Sequence, residues 1–241
     1  MSASVPRRLT AMYRAQLALG ARFVEDHGWV VAEAFTSPRD EEARARGGVG
    51  LADASAGGKL SVRGSAVDAL IAKAARVTAP ATRSARRIRL DGAEALVCRR
   101  APDELLVLAS AADAQTVERQ LSQAAGAVGC AHITDVTSGL AAMDLIGPAA
   151  RRLLARGSPL DLSAVGPLAV VHGQVARVPA TMIRLDHPEL PIYRILVGRE
   201  LGEFVWNALA AAGQSLGLVR IGASAHRQLL GPEANAAGVG S

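Results

Sequence analysis

Aromatic side chains are scarce in this sequence of 241 residues, three Phe, two Trp and two Tyr against a hydrophobic content of 50%. A core built under that shortage has to be made of Ala, Val and Leu. Each aromatic then becomes a packing anchor or a platform for a ligand, and Tyr13, Trp29, Tyr193 and Trp206 are the residues to follow. Cysteine is rarer still. Cys98 and Cys130 stand in the apolar, strand-like runs ALVCRR and VGCAHITDV, with no CxxC and no neighbouring metal-ligand spacing. That excludes a disulfide framework and a structural zinc site; the thiols read as buried and reduced, which suits a reducing compartment. No metal is expected. Long apolar runs are also missing: nothing approaches the about 18 residues a membrane span needs, and the start MSASVPRRLTAMYR has no apolar core of a secretion signal. The expected location is the cytoplasm, with no membrane partner.

Lysine is the last shortage, Lys59 and Lys73 being the whole supply, so the formal net charge of +5 is carried by arginine. The densest run, RSARRIRLD at 83 to 91, alternates Arg86, Ile88 and Leu90 with Arg87 and Arg89. That is the pattern of a strand with one solvated face, and no aromatic or amide readout residues accompany it, so a nucleic-acid partner is not expected. An anionic small molecule would use the same charge.

What is present is periodicity. Leu9, Met12, Leu17, Leu19 and Phe23 approximate one apolar face, predicting a helix over 8–25 that closes at His27-Gly28, and the strand GWVVAEAF follows. Ser37-Pro38-Arg39-Asp40-Glu41 supplies an N-cap, an early proline and carboxylates for the helix dipole, predicting a helix over 38–46 that ends at Gly47-Gly48. Beyond lies a duplication. LSVRGSAVDALIAKA and AMDLIGPAARRLLAR both read strand, glycine, helix, with Gly64 and Gly147 83 positions apart (64 to 147). ELLVLASAADAQTVERQLSQA and YRILVGRELGEFVWNALAAAG form a second pair, Val117 falling on Val205. Further strands are read at about 86–99, 129–136, 171–177 and 180–185. The fold class is therefore α+β, each half a mostly antiparallel sheet backed by two helices. The expected organisation is one domain over 1–231, with an N-terminal helical segment at 8–46, halves at about 50–128 and 129–220, and a frayed tail at 232–241.

The stretch GGVGLADASAGGKLSVRG suggests a phosphate cradle, but Gly57-Gly58-Lys59 is followed by Leu60 and Val62 in strand alternation rather than by a helix N-terminus. A nucleotide loop is excluded. That stretch, with MYRAQLALGARFVEDHGWVV before it and YRILVGRELGEFVWNALAAAGQSLGLVRIG after it, resembles the T-protein of the glycine cleavage system, a tetrahydrofolate-dependent aminomethyltransferase. The segment GPAARRLLARGSPLDLS is more similar to the gamma subunit of heterotetrameric sarcosine oxidase, a relative in the same superfamily. The Lys-Gly-Cys signature of the related iron–sulfur-assembly folate proteins is absent around both cysteines. The resemblance implies two ferredoxin-like halves around a central folate hole. It also implies a C-terminal barrel, before which this chain stops.

The resemblance implies roles residue by residue. The family's acidic residue near N5 of the folate falls on Glu94, with Asp91 an alternative and an exposed strand-edge carboxylate the plain reading of either. The pterin-binding glutamate turn becomes HPELPIY, in which Tyr193 aligns and Glu189 stands one residue early. Asp53 and Ser55 occupy the family's Asp-Val-Ser-His-Met turn, here Asp53-Ala54-Ser55-Ala56-Gly57. His226 and Arg227 stand where the family has an arginine, a surface helix end being the alternative. Tyr13, Trp29 and Tyr193 are the candidates to stack on a pterin. Tetrahydrofolate is the implied cofactor, with no flavin in this chain. Two activities follow: one-carbon transfer, alone or as part of a split enzyme, or a non-catalytic subunit beside a flavoprotein. Either way a homo-oligomer or a second subunit bearing a barrel or flavin is the expected partner, contacted through SPLDLSAVGPLAVV and the stretch after Gly217.

Overall fold

Residues 7–231 are described by the structure, a computed structural model; the tail read at 232–241 lies outside the described residues. The N-terminal segment departs first from the sequence reading. Helix is confined to α1 (Tyr13–Ala18), which lies between β1 (Arg8–Leu9) and a hairpin of β2 (Arg22–Asp26) and β3 (Trp29–Ala34). The turns explain the difference. Gly20, at φ +74°, follows the end of the helix, and His27 and Gly28, at φ +47° and +77°, are the two left-handed residues that a two-residue hairpin requires. The three strands form a small sheet in the order β1-β3-β2. The next helix, α2 (Pro38–Gly47), follows the sequence signals: Ser37 Oγ accepts from Asp40 N at 3.1 Å.

The duplication appears in the element order. First come β4 (Gly50–Asp53), β5 (Gly58–Arg63), α3 (Val67–Ala75), β6 (Ala85–Leu90), β7 (Ala93–Ala101), β8 (Glu104–Ala109) and α4 (Ala114–Val128). The series repeats as β9 (His132–Asp135), β10 (Leu140–Ile146), α5 (Ala150–Gly157), β11 (Val170–Val175), β12 (Val178–Leu185), β13 (Ile192–Gly198) and α6 (Gly202–Gly213). The chain then adds β14 (Val219–Ile221) and α7 (Ala223–Leu230). The strand expected over 86–99 is thus two, folded back at Asp91-Gly92 with φ +50° and +81°. Its counterpart, the β11–β12 hairpin, turns at Ala176-Arg177 with φ +51° and +66°.

The two sheets run β6-β7-β8-β5-β9 and β11-β12-β13-β10-β4-β14. Each repeat's first strand has crossed over. β4 precedes β5 in sequence yet pairs with β10, and β9 precedes β10 yet pairs with β5. The two glycines sit at these crossings. A Cβ on Gly64 (φ +138°) would stand 2.0 Å from Cys130 O, just before β9, and one on Gly147 (φ +119°) 2.2 Å from Ala45 O, just before β4. Only glycine admits that approach with that backbone.

Period-2 alternation then divides the side chains into layers. Leu105 and Val107 pack with α3 and α4, whereas Leu106 and Leu108 join Ile183, Ile192 and Leu196 of the other sheet. Trp206 and Tyr193 lie in the cluster under α5 and α6. Helices, sheet, sheet and helices therefore stack in sequence, an α+β fold. In the segments expected to meet a partner, Leu162, Val165 and Val170 are buried, as are Val219 and Ile221, while Pro159, Asp161, Ser163, Ala164 and Pro167 are exposed. The exposed large apolar side chains are Leu9, Leu17, Leu19, Leu201 and Phe204. Cys98 is buried as expected, but Cys130 is exposed, because it belongs to the turn before β9 rather than to the strand. None of the described helices is long and apolar enough to cross a membrane.

Candidate functional site

A cavity of about 420 Å³ opens between the two sheets. Its walls come from the loop after β4, from β7, from the β8–α4 connection, from the end of β12, from β13 and from one side of α7. Both repeats therefore contribute, and the exchanged strand β4 delivers its loop into the space between them.

At one wall lies a buried ion cluster. Arg194 donates from Nε to Asp144 Oδ1 at 2.8 Å and from one terminal nitrogen to Oδ2 at 2.7 Å, and His226 Nε2 stands 2.8 Å from the same Oδ2. The Asp144 carboxylate is fully buried. Burial works to raise its pKa, but the charge and hydrogen bonds of Arg194, with His226, hold it well below the usual carboxylate range. Burial works against the Arg194 cation too, and Asp144 more than compensates, so its pKa is raised. Arg194 and His226 line the cavity while Asp144 stands behind them. The neighbouring Cys98 thiol is pushed up to about 12 by burial, the Arg194 charge opposing.

The adjoining wall is the loop from Asp53 to Gly57, at the end of the strand next to that of Asp144. Asp53 Oδ1 accepts from Ser55 N at 2.9 Å and its Oδ2 from Gln16 at 3.1 Å. Ser55 Oγ accepts from Ala142 N at 3.0 Å. Lys59, nearly fully buried, donates to Ser55 O and Gly57 O, both at 2.8 Å. Burial lowers its pKa to about 7, the Arg194 charge adding and Asp53 and Asp135 opposing. The second repeat copies this device: Asp135 Oδ1 accepts from Thr137 N at 2.8 Å and Thr137 Oγ1 from Lys59 N at 2.9 Å.

Of the residues singled out in the sequence, Glu94, Asp53, His226 and Arg227 line the cavity. Glu94 is paired with its cross-strand neighbour Arg89 at 2.9 Å, and Arg227 stands 3.7 Å from Asp26. The others lie elsewhere. Ser55 is buried beneath the loop it fastens. Asp91 occupies the β6–β7 turn, beside Arg119 and Gln120. Glu189 is exposed and bonded to Arg46 at 3.0 Å. Tyr193 sits on the strand face opposite Ile192 and Arg194, and so packs under the helices rather than against the cavity. Tyr13 packs on Phe23 with ring centroids 4.8 Å apart, and Trp29 is buried under the Arg8 guanidinium at 5.3 Å. No Phe, Trp or Tyr ring lines the cavity among the described residues.

Sequence reasoning missed Asp144, Arg194 and Lys59. Each left a signal: a lone charge inside an otherwise apolar strand, in AAMDLIG, in IYRILV and in GKLSV, is tolerated only when paired or capped. Among the described residues no group of His, Cys, Asp and Glu is placed to hold a metal ion.

The cavity combines apolar walls (Leu96, Leu108, Leu185, Ile192) with carboxylates that accept and arginines that donate. Its volume is in the range of small-molecule cofactor sites, about 300–1,000 Å³. Arg87 and Arg227 add cations to the lining.

Known proteins place the chain in context. It is 31% identical to the aminomethyltransferase of Streptomyces avermitilis, over 93% of this chain and 62% of that protein. It is 29% identical to the aminomethyltransferase of Streptomyces coelicolor, over 92% and 61%. The chain thus spans about three fifths of the length of these relatives. Aminomethyltransferase T of the glycine cleavage system from Bartonella henselae shares the fold, with a TM-score of 0.79 and 18% identity over 92% of this chain and 61% of that one. So does a chain of heterotetrameric sarcosine oxidase from Corynebacterium sp. U-96, with a TM-score of 0.61 and 23% identity over 77% of this chain and 98% of that one. The model of the GCVT N-terminal domain matches residues 12–234, and the chain belongs to that family.

Proposed function

We propose that this chain binds tetrahydrofolate in the cavity between its sheets and serves one-carbon transfer, of an aminomethyl or methyl group, as part of a larger enzyme. The observation that carries the reading is the cavity: it is lined by ionisable groups from both repeats and keeps a buried ion cluster at its wall. Bound tetrahydrofolate supplies the secondary amine that accepts the one-carbon unit. Glu94, on β7 at the cavity wall, is the carboxylate that manages its proton, in preference to Asp91, which lies outside. Asp53 and Arg227 hold the ligand, and the apolar walls exclude water.

One observation favours a second reading. The match to the sarcosine oxidase chain runs over 98% of that chain's length, and that protein is a heterotetramer. On this reading the chain is a subunit beside a barrel-bearing or flavin-bearing partner. Titration calorimetry with tetrahydrofolate separates the two. Binding at micromolar concentrations, with Glu94→Ala lowering turnover more than affinity, supports the folate reading. No heat with the chain alone or with a co-expressed partner refutes it and leaves the subunit role.

A further inference from the structure

We propose that His226 is a ligand-binding hydrogen-bond acceptor of this cavity, held in place by the buried Asp144, and that its acceptor atom is Nδ1. The inference rests on the folate reading for the identity of the ligand but on the geometry of the wall for the residue.

His226 lies on α7, with its ring forming part of the cavity wall. Its Nε2 is 2.8 Å from Asp144 Oδ2. The carboxylate at that position is ionised, because Arg194 bonds both of its oxygens from 2.7 and 2.8 Å. An ionised carboxylate can only accept, so Nε2 must carry the hydrogen. In the neutral ring that leaves the lone pair on Nδ1. Nδ1 makes no hydrogen bond among the described residues. One ring nitrogen is fixed from behind by a fully buried charge, and the residue lines the cavity, which leaves the other for whatever fills it.

Several nearby groups are held by other partners: Glu94 is paired with Arg89 and Asp26 with His27. Glu41 of α2 accepts from Phe35 N and Thr36 N through Oε1 and from Gly222 N through Oε2. Asp53 of β4 is occupied by Gln16 and Ser55 N. Arg194 remains a cation throughout and neither takes nor gives a proton. Glu94 manages the proton of the transfer; His226 Nδ1 accepts a hydrogen bond from an N–H of the ligand and so orients it against the wall, with the ring fixed from behind by Asp144.

The test is nuclear magnetic resonance of the full chain labelled with ¹⁵N-histidine, together with calorimetry. In the free protein His226 should show a protonated Nε2 and an unprotonated Nδ1, and added tetrahydrofolate should shift Nδ1 while Nε2 keeps its proton. His226→Ala should weaken tetrahydrofolate binding by about tenfold, the loss expected for one good hydrogen bond. Asp144→Asn should scramble the tautomer; if that variant fails to fold, the wild-type spectrum and His226→Ala decide. A protonated Nδ1 in the free chain, an unmoved Nδ1 on binding, or unchanged affinity in folded His226→Ala would overturn the proposal. A wild-type chain that gives no heat with tetrahydrofolate refutes the folate reading alone, and the free-protein tautomer still tests His226.

Discussion

Replacing Asp144 by Asn is the sharpest perturbation of the cavity wall. The substitution keeps the shape of the side chain and removes its charge, so the packing of Ala142 and Ile146 on the same strand face is kept while Arg194 loses its counter-ion. Both Arg194–Asp144 hydrogen bonds, at 2.7 and 2.8 Å, are charge-assisted, and the Arg194 side chain is only 18% exposed. Breaking a buried pair by removing one partner costs about 3–5 kcal/mol, because the remaining charge is left uncompensated. Asn still offers one acceptor oxygen, which places the expectation near the lower end, about 3 kcal/mol. For a chain of this length about 2–4 °C of melting temperature corresponds to each kcal/mol, so a fall of roughly 6–12 °C should be seen in a thermal melt. The pH dependence carries the same information. The folded-state pKa of Asp144 lies below its unfolded value of about 3.9, so its contribution is present above that value and is lost as pH falls through the folded one. Urea midpoints of wild type and Asp144→Asn should therefore differ by a constant amount from about pH 5 upward and converge only in strong acid. A loss under about 1 kcal/mol at pH 7, or curves that converge near neutrality, would show that the cluster is not the buried ion pair described.

Two further outcomes follow. Lys59 has a folded-state pKa lowered to about 7 from 10.5, so between those values the unfolded chain binds more protons and stability should rise with pH, by on the order of a few kcal/mol at 1.36 per unit; Lys59→Met, followed by urea denaturation from pH 6 to 10, should flatten that slope, and an unchanged slope refutes the assignment. Gly147→Ala should cost at least about 2 kcal/mol in urea, since φ +119° suits no other residue and the new Cβ would meet Ala45 O; Gly20→Ala, at φ +74° with open space around it, should cost less, and equal losses would argue against the close crossing.

The parts of the fold that were legible in the sequence are those whose signals are local. Ser37, Pro38 and the early carboxylates announce α2, and the spaced glycines announce the two strand-to-helix turns. The N-terminal helix was over-read because Leu9, Leu17, Leu19 and Phe23 are apolar for different reasons: Leu9, Leu17 and Leu19 are exposed, and Phe23 belongs to a hairpin that the backbone at His27-Gly28 closes. Glu94, Asp53, His226 and Arg227, singled out by resemblance, line the cavity. The ion cluster was not found, since Asp144, Arg194 and His226 meet from three elements separated by 50 and 82 positions. Tyr193 shows the limit of residue identity as a guide: one position along β13 moves a side chain from the cavity to the opposite face.

The crossed first strands explain why the cavity needs both repeats. Had β4 paired with β5 and β9 with β10, each repeat would have completed its own sheet, and the Asp53 loop would have lain over the half that encodes it. With the strands exchanged, the loop leaving β4 starts in one sheet and re-enters the other as β5, so it must cross the gap between them, and the loop from β9 to β10 crosses in the opposite sense. The two crossings are fastened by mirrored devices: Ser55 Oγ accepts from Ala142 N of β10, and Thr137 Oγ1 accepts from Lys59 N of β5. The first crossing, the Asp53-to-Gly57 loop, forms a wall of the cavity, and no residue of the second lines it. A duplicated chain has in this way become an asymmetric site: α7, which has no counterpart in the first repeat, closes on the same side and brings His226 to the carboxylate of Asp144.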